Sequence, residues 1–306
     1  MAPFSLISRP SCKLSGEKMI SVIVPVYNEE NAVIGVLDDI KEAMTGFLTY
    51  EIIVVDDGST DQTLARVRSY NEVNLTIIEH AENIGYGKSL YDGIQQAAYD
   101  CIAIIDGDGS YPAASLKELY LYYPKYDMIV GARRGQEYRK GLFKRPARVF
   151  FQYLAEYATG RSIPDVNSGL RIFKKEVFSK FNESFCAGFS FTTTMTLVFF
   201  INHYFVKYVP VDYLKREGNS KVKHFKDTLR AGQIIVEAIL HYNPIKLFLL
   251  IATVNAALGL LIGVINYMTW RIDFLTYLAA LSLASFIPLF SLGLIAEQIK
   301  HIYRSK

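Results

Sequence analysis

Cysteine is scarce in this chain, with three in 306 residues. Cys12, Cys101 and Cys186 are odd in number and widely spaced. That excludes a disulfide framework and a clustered zinc site, and it fits a reducing compartment. An excess of charge is missing too: 33 Lys and Arg against 30 Asp and Glu leave a net +3, too little to argue for a nucleic-acid partner. The first 18 residues lack a long apolar core, so they are not a signal peptide and read as a loose extension. With 51% hydrophobic and 21% charged residues, disordered, collagen-like and low-complexity chains are excluded.

What is present is apolar residues, unevenly placed. The mean hydropathy of +0.16 is concentrated in Leu247–Trp270 and Phe274–Ala296, neither of which holds an Asp, Glu, Lys or Arg. At 1.5 Å per residue each run can cross a hydrocarbon core of ~30 Å. The three-residue link Arg271-Ile272-Asp273 folds them into a hairpin with both outer ends on one side. Lys246, Lys300, Arg304 and Lys306 flank that side, so the positive-inside bias puts the large domain and both termini in the cytoplasm. Ahead of the hairpin, Phe225, Leu229, Ile235, Val236 and Ile239 recur at helical spacing, the pattern of an interfacial helix.

The region before these runs alternates. Ser21–Pro25, Glu51–Val55, Leu75–Glu79, Cys101–Ile105 and Met128–Gly131 are Ile- and Val-rich runs, as strands buried on both faces are. Glu30–Thr45, Asp61–Tyr70, Lys88–Tyr99 and Ala113–Leu121 lie between them and read as helices. This order predicts an α/β domain with a mostly parallel, doubly wound sheet, whose ligand sits at the carboxyl ends of the strands. The polar motifs fall at those ends.

Asp106-Gly107-Asp108 directly follows a strand. Two carboxylates one residue apart suit a hard divalent cation, Mg²⁺ or Mn²⁺, which completes its shell with water and phosphate oxygen. At an earlier strand end, Asp56-Asp57-Gly58-Ser59-Thr60-Asp61 offers helix caps in Ser59 or Asp61 and carboxylates able to accept from a nucleobase. Asn28 can cap the following helix, and Tyr27 can flank a base ring. Gly85-Tyr86-Gly87-Lys88-Ser89 looks like half a phosphate-binding loop, but Glu82 stands where that loop needs glycine, and Leu90 breaks the dinucleotide pattern. Two basic stretches follow, Arg133 to Arg148 and Lys215 to Lys226.

VIVPVYNEE (22–30), VVDDGSTD (54–61), NIGYGKSL (83–90), IDGDGSYP (105–112), GARR (131–134), DVNSGLRIFKKEVF (165–178) and REGNSK (216–221) occur in this order. Over about residues 19 to 300 the chain resembles family-2 glycosyltransferases of the polyisoprenyl-phosphate type. The resemblance implies a GT-A fold over 19–224, an amphipathic juxtamembrane helix over 225–245, two transmembrane helices (247–270 and 274–296) within 246–297, and a tail at 298–306. It implies that Pro25, Tyr27, Glu29, Asp56, Asp57, Lys88, Gly107, Arg216 and Lys221 bind the nucleotide sugar together with Asp106 and Asp108, which also hold the metal. Arg133, Arg145, Arg148 and Ser168 match the region that receives the acceptor phosphate. Asp106, Asp108, Arg133 and Ser168 would carry the catalysis. Ser110 stands where some relatives place a further metal-ligating Gln. A nucleotide sugar, a polyisoprenyl phosphate, the membrane and further copies of the chain are the expected partners.

Acceptor chemistry divides the remaining readings. A phosphate monoester is mostly dianionic at neutral pH, with a second pKa of ~6, and needs positioning cations rather than a base. A sugar hydroxyl needs a general base, and Asp165 is the candidate. A non-catalytic sugar-nucleotide-binding membrane subunit is the third reading, against which the paired acids stand.

Overall fold

The computed structural model describes residues 19–47, 49–135, 145–181, 191–215, 243–269 and 272–304, with isolated positions between 233 and 240. Seven strands form one sheet: β1 (Met19–Val26), β2 (Thr49–Asp56), β3 (Leu75–Glu79), β4 (Cys101–Ile104), β5 (Met128–Arg134), β6 (Arg171–Lys174) and β7 (Val206–Asp212). Their order is β3-β2-β1-β4-β6-β5-β7. β1 is parallel to β2 and β4, β2 to β3, and β5 to β7. β6 alone runs antiparallel, between β4 and β5.

Alternation along the strands feeds two layers. Val22 and Val24 of β1 pack with Val33, Leu37 and Ile40 of α1 (Val33–Met44) and with Leu116 and Leu119 of α4 (Ser115–Tyr120). A short α2 (Thr63–Ser69) adds Val67 to that layer. Ile23, Ile53 and Val55 face the opposite way, against α3 (Tyr86–Gln96). The same layer holds α6 (Lys175–Lys180) and α7 (Phe191–Ile201), which contribute Phe178, Phe191 and Met195. At the α3 contact, a Cβ on Gly93 would lie 2.6 Å from Cγ2 of Ile23, so glycine sets how closely this helix approaches the sheet.

The five expected strands and four expected helices all form, with ends shifted by a few residues. β6 and β7 were not anticipated. β6 is four residues long, too short for alternation to register, and its antiparallel direction follows from pairing on both sides. That direction positions the site. The start of an antiparallel strand lies at the edge where its parallel neighbours end, so the 165–170 segment arrives beside Asp106.

A third cluster joins this domain to the apolar C-terminal region. Leu154, Ala155 and Ala158 of α5 (Arg145–Thr159) pack with Ile163, Val166, Leu197 and with Leu247 of α8 (Pro244–Met268). Tyr157 Oη donates to the Lys246 carbonyl (2.8 Å), and Lys246 Nζ donates back to the Tyr157 carbonyl (3.1 Å). The hairpin is completed by α9 (Asp273–Ala284) and α10 (Phe286–Arg304). Asn266 closes its turn, donating to the Ile272 carbonyl (2.9 Å) and accepting from the Ile272 amide (2.8 Å). Midway along, Asn255 and Ser282 bond across the two arms.

Pro244–Met268 and Asp273–Lys300 are long and apolar enough to cross a membrane, and only 11% of each apolar window is buried. Core helices, by contrast, are mostly buried. The second arm differs from the single 274–296 span expected. It breaks at Ser285, where Pro288 lacks the amide that would bond the Ala284 carbonyl and its ring crowds that carbonyl. The helix also runs on to Arg304, so 298–304 of the expected tail is helical. Most of the helix expected over 225–245 lies outside the described residues.

Candidate active site

The acidic motifs meet at the carboxyl edge of the sheet. β1 ends in Tyr27-Asn28-Glu29, where Asn28 holds a left-handed backbone (φ 53°). Its Oδ1 accepts from the Thr60 amide (2.7 Å), and its own amide donates to Ser59 Oγ (2.9 Å). Asn28 therefore ties the loop after β1 to the loop after β2 instead of capping α1. Asp61 accepts from the Thr63 amide (2.9 Å) at the start of α2, as a cap does. Gly58, at φ 69°, would place a Cβ 2.6 Å from the Glu82 carbonyl carbon, so this loop has no room for a side chain.

Asp56 is 1% exposed. Its Oδ2 accepts from the Ser59 amide (3.0 Å), while its buried Oδ1 has no hydrogen-bond partner among the described residues. A buried carboxylate oxygen without a donor is costly, and a ligand N–H or O–H would satisfy it. Asp57 is engaged with the loop ahead of α3. Its oxygens accept from the amides of Ile84 (3.0 Å) and Gly85 (2.9 Å), and His80 Nδ1 lies 2.9 Å away. It clamps the glycine-containing turn that opens α3. Lys88 lies on that helix, engaged with Asp92 one turn on.

Asp106 and Asp108 follow β4. Oδ1 of Asp106 accepts from Tyr86 Oη (2.8 Å), and Asp108 Oδ1 accepts from the Ser110 amide (3.0 Å). Burial, with the Asp106 charge beside it, pushes the Tyr86 phenol well above its ordinary value, so it keeps its proton and donates. Gly107 is constrained by packing, since a Cβ there would lie 2.5 Å from Cγ1 of Val26. From the other side Gly169 approaches Asp106 so closely that a Cβ would sit 2.1 Å from Oδ2. Among the described residues no group of three or more His, Cys, Asp or Glu forms a cation cage. The acid pair offers oxygen alone, the donor type that a hard divalent cation takes.

Across from the acids, Arg133 at the end of β5 makes a two-pronged pair with Asp165, Nε to Oδ2 (2.7 Å) and Nη2 to Oδ1 (2.8 Å). Its guanidinium also lies 5.5 Å from the Tyr213 ring centre. Burial alone would raise the Asp165 carboxyl. The Arg133 charge and hydrogen bonds outweigh it and hold the group below its ordinary value. Ser168 departs from expectation. It is fully buried, and its hydroxyl donates to the Gly131 carbonyl (2.5 Å), so it secures the segment to β5 rather than facing a ligand. Pro25, next to last in β1, lies beside Gly107, and Glu29 is 8% exposed. Arg145 and Arg148 fall within α5, with their side chains outside the described residues, as are Arg216 and Lys221 altogether.

Residues 21–181 match glycosyl transferase family 2, and residues 243–302 match the GtrB C-terminal hairpin. The first match covers more than half of the chain. The chain belongs to glycosyltransferase family 2.

This glycosyltransferase is 30% identical to the dodecaprenyl-phosphate galacturonate synthase of Rhizobium johnstonii, across 53% of the chain and about half (49%) of that relative. It is 26% identical to the undecaprenyl-phosphate 4-deoxy-4-formamido-L-arabinose transferase of Photorhabdus laumondii, over 94% of the chain and 90% of that protein. Among solved structures it is similar to the Mycobacterium tuberculosis glucosyl-3-phosphoglycerate synthase crystallised with Mn²⁺, UDP-glucose and phosphoglyceric acid. That likeness has TM-score 0.59 at 17% identity, over 73% of this chain and 80% of that one, and it establishes a GT-A fold.

Within this glycosyltransferase, sequence reasoning passed over Tyr86 and Arg171. Tyr86 lay in a motif set aside as a failed phosphate loop. Arg171 lay in the SGLR segment, used only for resemblance. It is fully buried and donates to the Ser168 carbonyl (2.8 Å), the Val166 carbonyl (2.9 Å) and Thr196 Oγ1 (2.8 Å). An arginine directly before an Ile-Phe strand pair was the available signal, but burial of its charge is decided by tertiary packing.

Proposed function

We propose that this glycosyltransferase moves a hexose-type sugar from a nucleoside diphosphate sugar to a polyisoprenyl phosphate, with the catalytic domain and both termini on the cytoplasmic side. The observation that carries this reading is the Arg133–Asp165 pair. Asp165 is the acid that a hydroxyl acceptor would need as a base, yet it is buried, ion-paired and held in its charged, weakly basic form. A phosphate acceptor requires no base. It requires a fixed cation, and Asp165 holds Arg133 in one orientation at the sheet edge.

Asp56 offers its unpartnered oxygen to the nucleotide, with Tyr27 and Glu29 on the neighbouring loop. Asp106 and Asp108 would hold Mg²⁺ or Mn²⁺, whose charge supports departure of the nucleoside diphosphate. The lipid phosphate oxygen attacks the anomeric carbon while the bond from that carbon to the diphosphate oxygen breaks. The single displacement inverts the centre, so an α-linked donor gives a β-linked lipid product. A UDP-sugar is favoured over a GDP-sugar because the two-helix hairpin and the GFSFTTTMTL segment (188–197) resemble the bacterial undecaprenyl-phosphate enzymes. The names of the relatives, both acting at polyprenyl phosphates, and the hairpin support the lipid acceptor.

The test offers labelled UDP- and GDP-sugars to the purified full chain with undecaprenyl phosphate, with the corresponding free alcohol, and with a glycolipid bearing only hydroxyls. Transfer to the phosphate alone is expected. Transfer to the hydroxyl acceptors and none to the phosphate would overturn the reading.

A further inference from the structure

We propose that Asp106 is held for the metal by a two-part clamp, in which Tyr86 is a positioning residue donating to one carboxylate oxygen and the Gly169 backbone packs against the carboxylate group as a whole. The proposal rests on the reading of Asp106 and Asp108 as the cation-holding pair. It gives the Gly85-Tyr86-Gly87 motif, which fits no phosphate loop, a task in the same site.

On the first side, Tyr86 Oη donates to Asp106 Oδ1 at 2.8 Å. Tyr86 is the first residue of α3, and the turn before it is anchored independently by the bonds from the Ile84 and Gly85 amides to Asp57. Asp57 is in turn braced by His80. The phenol therefore reaches Asp106 from a fixed base. On the second side, the Gly169 amide donates to Tyr111 Oη (2.9 Å). Arg171 holds the carbonyls of Val166 and Ser168, so the turn carrying Gly169 cannot drift from the carboxylate. A carboxylate that accepts from a fixed phenol and is packed against backbone keeps a single orientation. Such outer partners commonly alter metal affinity 10- to 100-fold.

Two variants act on the same carboxylate. Tyr86→Phe removes the donor and keeps the ring. Gly169→Ala inserts a Cβ 2.1 Å from Asp106 Oδ2 and 2.5 Å from its Cγ and Oδ1, and Gly169 is not among the positive-φ glycines, so the carboxylate group is what must move. Mn²⁺ is titrated into each full-length protein with UDP present and followed by its paramagnetic resonance signal. Thermal unfolding without metal is recorded beside it. Roughly 10-fold weaker Mn²⁺ binding is expected in both variants, with the metal-free unfolding midpoint close to wild type. Turnover should recover at saturating Mn²⁺ and the acceptor KM should stay unchanged, which a merely structural defect would not produce. If Tyr86→Phe fails to fold, weakened Mn²⁺ binding in Gly169→Ala sustains the proposal. Wild-type Mn²⁺ affinity in either folded variant, or failure of both to fold, overturns it. A wild-type protein that binds no Mn²⁺ in the presence of UDP would instead overturn the metal reading beneath it.

Discussion

At the scale of single residues, the Arg133–Asp165 pair links stability and acceptor use. Removing one partner leaves the other charged and buried, at a cost of about 3–5 kcal/mol, whereas removing both costs less. Arg133→Ala should therefore lower the unfolding free energy more than Arg133→Ala/Asp165→Ala does, and both should raise the acceptor KM while nucleotide affinity holds. Denaturant titration with separate donor and acceptor kinetics checks this, and collapse of donor affinity alone would move Arg133 to the diphosphate side. The pair also sets a pH dependence. Because the folded Asp165 carboxyl lies below its ordinary 3.8, its stabilisation is complete above that value and is lost as pH falls through the depressed one. Acid unfolding should therefore begin at higher pH in Arg133→Lys if the two-pronged geometry matters. Asp108→Asn should keep the fold and lose roughly two decades or more of turnover, by analogy with removing one fixed charge-stabilising group. Near-normal rates in saturating Mn²⁺ would refute its role as a ligand.

At the scale of elements, two contacts position the site. One is α3 on β1, where Gly93 lets the helix lie against Ile23. Gly93→Ala should destabilise by about 1–3 kcal/mol through overpacking. It should also weaken metal binding, since the first residue of α3 supplies Tyr86. Calorimetry and Mn²⁺ titration on the same variant read both effects. The other contact is β6, whose antiparallel direction delivers Gly169 and Asp165 to the edge where β4 and β5 end. A parallel strand there would have carried that segment to the far edge.

At the scale of the whole molecule, the catalytic domain and the hairpin share a buried cluster that includes Leu247, Leu154, Ala155 and Val166. Val166 adjoins Asp165, so the apolar anchor touches the segment that orients Arg133. A chain ending at residue 242 should remain folded, partition out of detergent, and bind UDP with Mn²⁺. It should unfold at lower temperature, because the cluster is opened, and lose transfer to the lipid. Sedimentation with vesicles and nucleotide titration test these expectations. Recovery only as unfolded aggregate would show that the hairpin is indispensable to the domain core.

The sequence alone determined the alternation of buried strands and amphipathic helices, the acidic motifs at strand ends and the two long apolar runs. Each is a local pattern, set by side-chain periodicity or by the absence of charge over a fixed length. It also determined the order of motifs from which the family was legible. Only the tertiary structure decided which polar residues face a ligand and which are consumed in holding the fold. Asp56 and Asp57 are neighbours of one chemical type, yet one keeps an unpartnered oxygen and the other is spent on two backbone amides. The bonds that Ser168 and Tyr86 make show the same dependence on the fold. The partners that decide such roles lie far away in sequence: Gly131 for Ser168, and Asp106 for Tyr86. Hydrogen-bond satisfaction in a buried site depends on which groups the sheet brings together, and residue type alone does not encode it.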